Sequence, residues 1–316
     1  MLILAALAVA ALVAFGFVYL APERFVRWAI AAERRRAGLA RREIDLPGGL
    51  HYVYLEGGRG EPLLLLHGFG ADKDNFNRVA RLLTPRYRVI VPDHIGFGES
   101  ARVPEGDYTA SAQAERLHAL AQALELGRLH LGGNSMGGQI AMIYAAQYPG
   151  EVASLWLLDP AGVWSAPESE FQRTLAATGH NALMARNEAE MAQVLAFVMH
   201  EPPYVPRPFL RYLARERLRN YSLEQRVFTQ LTGDSVESRV AGLATPTLIV
   251  WGERDRAIDV ATAAVLHELL PRSQVVIMPN VGHVPMFERP RQSAEDYLRF
   301  RAALEPQMNT DTHREH

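Results

Sequence analysis

One serine, Ser135, lies in a run of small residues, GNSMG, at positions 133–137. The run follows an apolar stretch, RLHLG, and precedes GQIAMIYAAQYP, which has the composition of a helix. Small residues two positions on either side of a serine let a strand and a helix meet in a sharp turn that exposes the hydroxyl. The pattern predicts that Ser135 is a nucleophile held on such a turn.

A serine hydroxyl needs a base that removes its proton, and in this arrangement the base comes late in the chain, after an acid. Among eleven histidines, His283 combines a late position, a loop directly after an apolar run and a neighbouring glycine. His67 and His94 lie in glycine loops at the ends of earlier apolar runs, where they would support the site. We therefore predict His283 as the base.

The acid that orients the imidazole has three candidates. Asp255 ends the run VWGERD, Asp159 lies in LLDPAG after an earlier run, and Asp259 follows shortly after Asp255. The order serine, acid, histidine and the position after a strand favour Asp255. Asp159 stays open as the alternative acid, and Asp259 is the weakest of the three.

A serine that attacks a carbonyl group also needs two backbone N–H groups that bind the oxyanion formed in the attack. The residue after the nucleophile, Met136, supplies one of them. The loop HGFG at 67–70 follows another apolar run and supplies the second, for which we choose Phe69. Glycine at position 68 would let this loop approach Ser135 closely.

Composition excludes several other classes of function. The chain has 316 residues, a net charge of −2 and no cysteine, which argues against nucleic-acid binding and excludes thiol chemistry. The sequence holds no metal-ligand motif, no phosphate-binding P-loop and no complete dinucleotide-binding glycine motif. We expect neither a cofactor nor a metal.

Apolar runs alternate with amphipathic stretches over most of the chain. The runs are 50–56, 62–70, 87–100, 127–138, 152–162, 246–255 and 273–283. Strands that alternate with helices predict an α/β fold with a mostly parallel, doubly wound sheet. We assign it to residues 43–163 and 241–305, with a polar tail at 306–316. Residues 164–240 contain no such run, so they predict an inserted helical cap, or lid, over the sheet.

The first 22 residues carry no charged side chain and are long enough to span a bilayer as a helix. The run lacks the basic start and cleavage site of a signal peptide, so 1–22 predicts an uncleaved transmembrane anchor. Residues 23–42 hold seven arginines interleaved with aromatic and aliphatic side chains, which predicts a juxtamembrane amphipathic helix. A solvated connecting helix is the alternative.

The anchor carries two further expectations. Ala6, Ala10 and Ala14 place small residues on one helix face, which would permit a homodimer through the transmembrane helix. We expect a single-pass protein of a bacterial inner membrane. Positive-charge counting favours a cytoplasmic catalytic domain, but the nearly empty other flank leaves the side of the membrane open.

Together, the HGFG loop, GNSMGG, the Asp255 loop and the pair Gly282-His283 resemble the α/β-hydrolase superfamily over residues 43–305. The preceding apolar segment and LLLLHGFGADKDNFNRVARLL resemble its membrane-anchored monoacylglycerol lipases and bacterial membrane-anchored phospholipases A. The resemblance implies the α/β-hydrolase fold, with Ser135, Asp255 and His283 as triad and with Phe69 and Met136 as oxyanion donors. Relatives that process halides or epoxides carry aspartate at the nucleophile position, and Ser135 argues against them.

Three functions fit these residues. The first is a membrane-anchored serine ester hydrolase that releases fatty acid from phospholipid, lysophospholipid or monoacylglycerol. The second is a hydrolase of C–C bonds in aromatic ring-cleavage products, because GNSMGG is common there with the same triad. The third is a receptor of this fold that binds acyl ligands without turnover. The anchor argues against the second, and the complete triad argues against the third.

Overall fold

The computed structural model describes residues 16, 19–103 and 105–311, the last seven of them by backbone alone. Its strands are β1 (Leu39–Leu46), β2 (Leu50–Gly57), β3 (Glu61–Leu66), β4 (Tyr87–Pro92), β5 (Leu129–Asn134), β6 (Val152–Leu158), β7 (Thr247–Gly252) and β8 (Ser273–Met278). Its helices are α1 (Pro22–Arg36), α2 (Asn77–Leu83), α3 (Ala110–Ala123), α4 (Met136–Gln147), α5 (Glu170–Thr178), α6 (Glu188–Val198), α7 (Arg207–Thr232), α8 (Glu237–Val240), α9 (Thr262–Leu269), α10 (Pro285–Glu288) and α11 (Pro290–Asp311).

The eight strands form one sheet in the order β1-β2-β4-β3-β5-β6-β7-β8. β1 and β2 form an antiparallel hairpin, β2 pairs antiparallel with β4, and every later pairing is parallel. The predicted mostly parallel α/β sheet is therefore confirmed. In parallel strands the carboxyl ends meet at one edge, and the loops after β3, β5, β6 and β7 gather there.

Helices cover both faces of the sheet, which explains the continuous apolar runs. In β3, for example, Leu63 to Leu66 are fully buried, with alternate side chains in two separate core clusters. Between β6 and β7 the chain forms α5, α6, α7 and α8 and no strand, within the part of the chain that the structure describes.

The N-terminal helix is shorter than the sequence predicts. We expected one helix over 23–42, but α1 ends at Arg36 and β1 begins at Leu39. Gly38 adopts φ +68° between them, a conformation that ends a helix easily at glycine. β1 is an edge strand with mostly exposed side chains, so its sequence, LARREIDL, shows no clear alternation. At the other end of the chain, α11 extends to Asp311, into the predicted polar tail.

Most of the predicted anchor, including the alanines at 6, 10 and 14, lies outside the described residues. Among the residues that are described, no helix is both long and apolar enough to cross a membrane.

The helix α1 packs against α7, the long helix between β6 and β7. Arg215 of α7 donates a hydrogen bond of 2.6 Å to Glu23 of α1. The opposite, outward side of α1 exposes Arg24, Arg27 and Trp28 to solvent. The helix thus connects the start of the described chain to the segment between β6 and β7.

A buried ion-pair network joins α1 to the loops at the carboxyl edge. Lys73 is 1% exposed, and its ammonium donates to Asp93 at 2.7 Å and lies 2.8 Å from Glu99. Next to it, Arg34 of α1 binds both carboxylate oxygens of Asp74. The network holds the loop after β3 against the loop after β4.

Candidate active site

Ser135 lies on a tight turn between β5 and α4, with φ +54° and ψ −118°. Few residues other than glycine adopt a positive φ, so the turn is strained. A Cβ on Gly133 would lie 2.3 Å from the carbonyl carbon of Gly137, and a Cβ on Gly137 would lie 2.1 Å from the carbonyl oxygen of Leu66. Backbone from three segments therefore meets where the two glycines lie, and only glycine fits at either position.

The imidazole of His283 is paired with the carboxylate of Asp255. His283 Nδ1 lies 2.8 Å from Asp255 Oδ2, and both side chains are almost fully buried. The other oxygen, Oδ1, accepts from the backbone N–H groups of Ala257 and Ile258 at 2.8 and 3.1 Å. Oδ2 is thereby held where it can accept a proton from Nδ1, an arrangement that leaves Nε2 as the ring nitrogen available to accept one.

Asp159, the alternative acid, lies directly beside this pair. A carboxylate oxygen of Asp159, one of Asp255 and a ring nitrogen of His283 all lie within 4.8 Å of one another. Asp159 Oδ1 accepts from the Gly252 N–H at 2.8 Å, while Oδ2 is buried without a hydrogen-bond partner among the described residues. Burial and the neighbouring Asp255 raise the pKa of Asp159 well above its usual range.

The third candidate acid is not part of this cluster. Asp259 Oδ1 accepts from the Ala261 N–H in the turn that precedes α9. Asp259 thus stabilises its own turn and does not contact His283.

A residue that the sequence reasoning did not single out, Asn134, connects the serine turn to the histidine loop. Its buried side-chain amide donates to the carbonyl oxygens of His283 at 2.9 Å and Leu158 at 3.0 Å. The residue before Ser135 in the GNSMG pattern therefore holds the backbone of His283 against the end of β6. Its signal in the sequence was a polar side chain at the end of a buried strand.

The two predicted oxyanion donors have no competing acceptor. Among the described residues, neither the Phe69 N–H nor the Met136 N–H donates a hydrogen bond to the chain. Gly68 lies so close to the nucleophile that a Cβ there would be 3.3 Å from the Cβ of Ser135. Ser135, Phe69 and Met136 all line the same cavity.

The predicted supporting histidines fix the loop that carries Phe69. His67 Nδ1 lies 2.8 Å from the Gly68 carbonyl oxygen, and its Nε2 accepts from the His94 N–H at 3.1 Å. This pattern requires a neutral ring with its proton on Nδ1. Burial lowers the pKa of both histidines, so the neutral form is maintained.

Arg217 of α7 was also not foreseen from the sequence. Its guanidinium lies over the Phe69 ring at 5.6 Å, forms an ion pair of 3.0 Å with Glu224, and occupies the space where a Cβ on Gly70 would lie. Arg217 is 7% exposed and Glu224 is 4% exposed. The loop that carries Phe69 thus packs against a buried charge supplied by α7.

Ser135 and His283 open into a cavity of about 400 Å³. Its wall is mostly apolar and comes from the carboxyl edge and from helices α5 and α7; the side chains include Phe69, Met136, Val163, Phe171, Leu175, Leu183, Phe228, Leu231 and Ile258. A cavity of this size and polarity suits a flexible hydrocarbon chain.

The arrangement fits nucleophilic acyl transfer better than metal chemistry. Asp159, Asp255 and His283 could each offer one ligand atom to an ion. A metal on Nδ1 of His283 would, however, displace the 2.8 Å contact with Asp255. A paired imidazole, a strained serine and two free backbone donors at one cavity are the parts that acyl transfer needs.

Comparison with known proteins identifies the family of this chain. A family model described as the alpha/beta hydrolase fold matches residues 61–290. The chain belongs to the α/β-hydrolase family. In this member the sheet is mostly parallel and a helical segment lies between β6 and β7.

Among relatives of this hydrolase, Lipase 1 of Psychrobacter immobilis is 43% identical over 286 residues, which cover 88% of this chain and 89% of that protein. Human monoacylglycerol lipase ABHD6 is 30% identical over 280 residues, or 83% of this chain and 82% of the relative. The crystal structure of a bacterial membrane phospholipase A superimposes with a TM-score of 0.87 at 41% identity and covers 96% of this chain and 98% of that one.

Proposed function

We propose that this hydrolase is a membrane-anchored serine esterase that releases fatty acid from a phospholipid, a lysophospholipid or a monoacylglycerol. An ester hydrolase as such is confirmed by the lipases and the phospholipase A among its relatives. The observation that carries the finer proposal is the apolar cavity into which Ser135 and His283 both open.

In the proposed reaction His283 Nε2 takes the proton of the Ser135 hydroxyl while its oxygen attacks the ester carbonyl. Asp255 holds the Nδ1 proton and stabilises the imidazolium. The Phe69 and Met136 N–H groups stabilise the oxyanion. His283 then gives its proton to the leaving alcohol. The same nitrogen activates the water that releases the fatty acid and restores the serine.

The membrane part of the proposal rests on the N-terminal residues. Residues 1–22 are long and apolar enough for an anchor, and α1 follows directly. The exposed side of α1 carries Arg24, Arg27 and Trp28, and Arg35 lies about two helical turns further along the same side. Arginines near phosphates and a tryptophan at headgroup depth are typical of a helix on a membrane surface.

We further propose that residues 164–240 act as the lid of the site. Phe171 and Leu175 of α5 and Phe228 and Leu231 of α7 supply one wall of the cavity. Because α7 also packs against α1, a lipid that leaves the bilayer beside α1 would meet the lid first.

Lipid analysis tests the proposal directly. Membrane lipids are incubated with the full-length protein, with Ser135→Ala and with Ser165→Ala, an exposed serine as control. We expect free fatty acid and lysolipid or glycerol products with the wild type and the control and none with Ser135→Ala. Unchanged ester hydrolysis by Ser135→Ala would contradict the assigned nucleophile. Turnover of a vinylogous diketone without ester hydrolysis would favour the C–C hydrolase, and no reaction with a fluorophosphonate probe would favour the receptor.

A further inference from the structure

A second cavity, of about 280 Å³, lies where α1, α2 and the start of α11 meet. It shares no lining residue with the cavity at Ser135. Four arginines line it: Arg36 at the end of α1, Arg78 and Arg81 on α2, and Arg291 at the start of α11. It is therefore a separate, strongly basic site.

The basic charge of this cavity is only partly balanced. Its one acidic residue, Glu33, lies 4.0 Å from Arg78, whose guanidinium also stacks over the Phe287 ring. Arg36, Arg81 and Arg291 are exposed to solvent and form no ion pair with any residue that the structure describes. Like charges that face one cavity repel one another unless an anion lies between them.

Two helix ends face this cavity: the C-terminal end of α1 at Ala37, which carries a partial negative charge, and the N-terminal end of α11. Arg291 is the second residue of α11, a helix of 22 residues. The N-terminal end of a helix carries a partial positive charge and favours anions. The end of this helix opens on the cavity lined by the arginine side chains.

We propose that this cavity binds a phosphate group, carried either by a phospholipid headgroup or by a free phosphate. Guanidinium groups match the oxygens of phosphate in pairs, and arginine is the usual residue for such contacts. A bound phosphate would join Arg36 of α1 to Arg81 and Arg291 of the hydrolase body. The site would thus fix the helix that follows the apolar N-terminal segment, without any part in ester cleavage.

Inorganic phosphate is the first probe. The full-length protein is titrated with phosphate against chloride at constant ionic strength, and its melting temperature is measured. A ligand of the folded state raises that temperature. The pocket variant is Arg81→Gln/Arg291→Gln. Arg59→Gln/Arg86→Gln is the matched control, because these arginines are exposed, unpaired among the described residues and outside the cavity.

We expect phosphate to raise the melting temperature of the wild type and of the control. In the pocket variant we expect the apparent dissociation constant for phosphate to be about tenfold or more larger. An equal rise in the melting temperature of all three proteins would overturn the proposal. The absence of any rise in the wild type would overturn it as well. Arg291→Glu serves as a second pocket variant if the double substitution lowers the stability of the fold. It should abolish the effect through charge reversal at an exposed side chain.

A second experiment distinguishes a phosphate carried by a lipid headgroup from a free phosphate. Ser135→Ala is used throughout so that lipid is not consumed, and binding of dihexanoyl phosphatidylglycerol is compared with and without the pocket substitutions. Loss of lipid binding in the pocket variant, with competition by inorganic phosphate, assigns a headgroup site. Phosphate binding without lipid binding assigns a free phosphate. Failure of the esterase proposal would change neither outcome.

Discussion

Asp159 and Asp255 hold carboxylate oxygens within 4.8 Å of each other at the same imidazole, that of His283. They differ in what surrounds them. Asp255 accepts two backbone N–H groups in addition to His283, whereas Asp159 accepts one N–H and keeps a buried oxygen without a partner. The surroundings of Asp255 suit a charged carboxylate, and those of Asp159 suit a neutral one.

Substitution of each acid separately should reveal which one serves the histidine. In Asp255→Asn the amide oxygen stays on the Ala257 and Ile258 N–H groups, so the NH2 group faces His283 Nδ1 and favours the wrong tautomer. We therefore expect kcat for a soluble ester to fall about 10³- to 10⁴-fold. Asp159→Asn keeps an acceptor for the Gly252 N–H and should lower kcat less than about tenfold. Steady-state kinetics on both variants and on the double variant check this. A larger loss for Asp159→Asn than for Asp255→Asn would make Asp159 the acid.

The raised pKa of Asp159 predicts a pH-dependent stability. In the unfolded chain this carboxyl ionises near its usual pKa of about 3.9, whereas in the folded protein it holds its proton to higher pH. The folded state then binds more protons than the unfolded state, so this contribution to stability falls as pH rises between the two values. Asp159→Asn removes the titration. Its melting temperature relative to wild type should therefore increase between pH 4 and pH 8, and a constant difference would contradict a raised pKa.

The glycines around the nucleophile predict a sharp difference between two similar substitutions. Gly137→Ala places a methyl group 2.1 Å from a backbone oxygen, so we expect a loss of about 2–3 kcal/mol in the free energy of unfolding, together with loss of esterase activity. Gly150→Ala is the control, because its Cβ would meet nothing within 4 Å. Urea denaturation measures both, and equal effects would show that the turn tolerates a side chain.

The buried pair of Arg217 and Glu224 predicts a non-additive result. Arg217→Met leaves the Glu224 carboxyl buried without its partner, which costs about 3–5 kcal/mol. Removal of both charges in Arg217→Met/Glu224→Leu should restore most of that stability. The single variant should also lower kcat, since Arg217 packs on Phe69 of the oxyanion loop. A double-mutant cycle in urea measures the coupling, and simple additivity would show that the two charges are independent.

The apolar cavity predicts control of acyl-chain length by the lid. Leu175→Trp adds volume to a wall of the cavity, so we expect the ratio of kcat/KM for long-chain over butyryl esters to fall about tenfold. Leu218→Trp is the matched control, because Leu218 is exposed and does not line the cavity. Similar ratios in both variants would place the acyl chain elsewhere.

Local patterns were sufficient to predict much of the fold and the proposed site. The apolar runs mark buried strands because helices cover both faces of the sheet, and glycines mark the turns at its carboxyl edge. Ser135 and His283 follow from these turns. The edge strand β1 was missed because its side chains are mostly exposed and it contains Arg41 and Arg42. These two arginines continue the arginine-rich pattern of α1, so the whole segment resembles one charged helix.

Residues whose role depends on distant partners could not be predicted in this way. Asn134 donates to a carbonyl 149 positions away, and Arg217 meets Phe69 only after the segment between β6 and β7 folds back over the sheet. Chain order favoured Asp255 over Asp159, and the hydrogen-bond donors around each carboxylate add an argument for Asp255 that no spacing in the sequence contains.

Lys73 is the only lysine of the chain, and its ammonium is enclosed by Asp93 and Glu99. Reagents that acylate amines therefore find one side-chain target, and they reach it only when the loops after β3 and β4 separate. Coupling reagents that target lysine will therefore react poorly with the native protein. Conversely, the rate at which Lys73 is modified measures how often these two loops open.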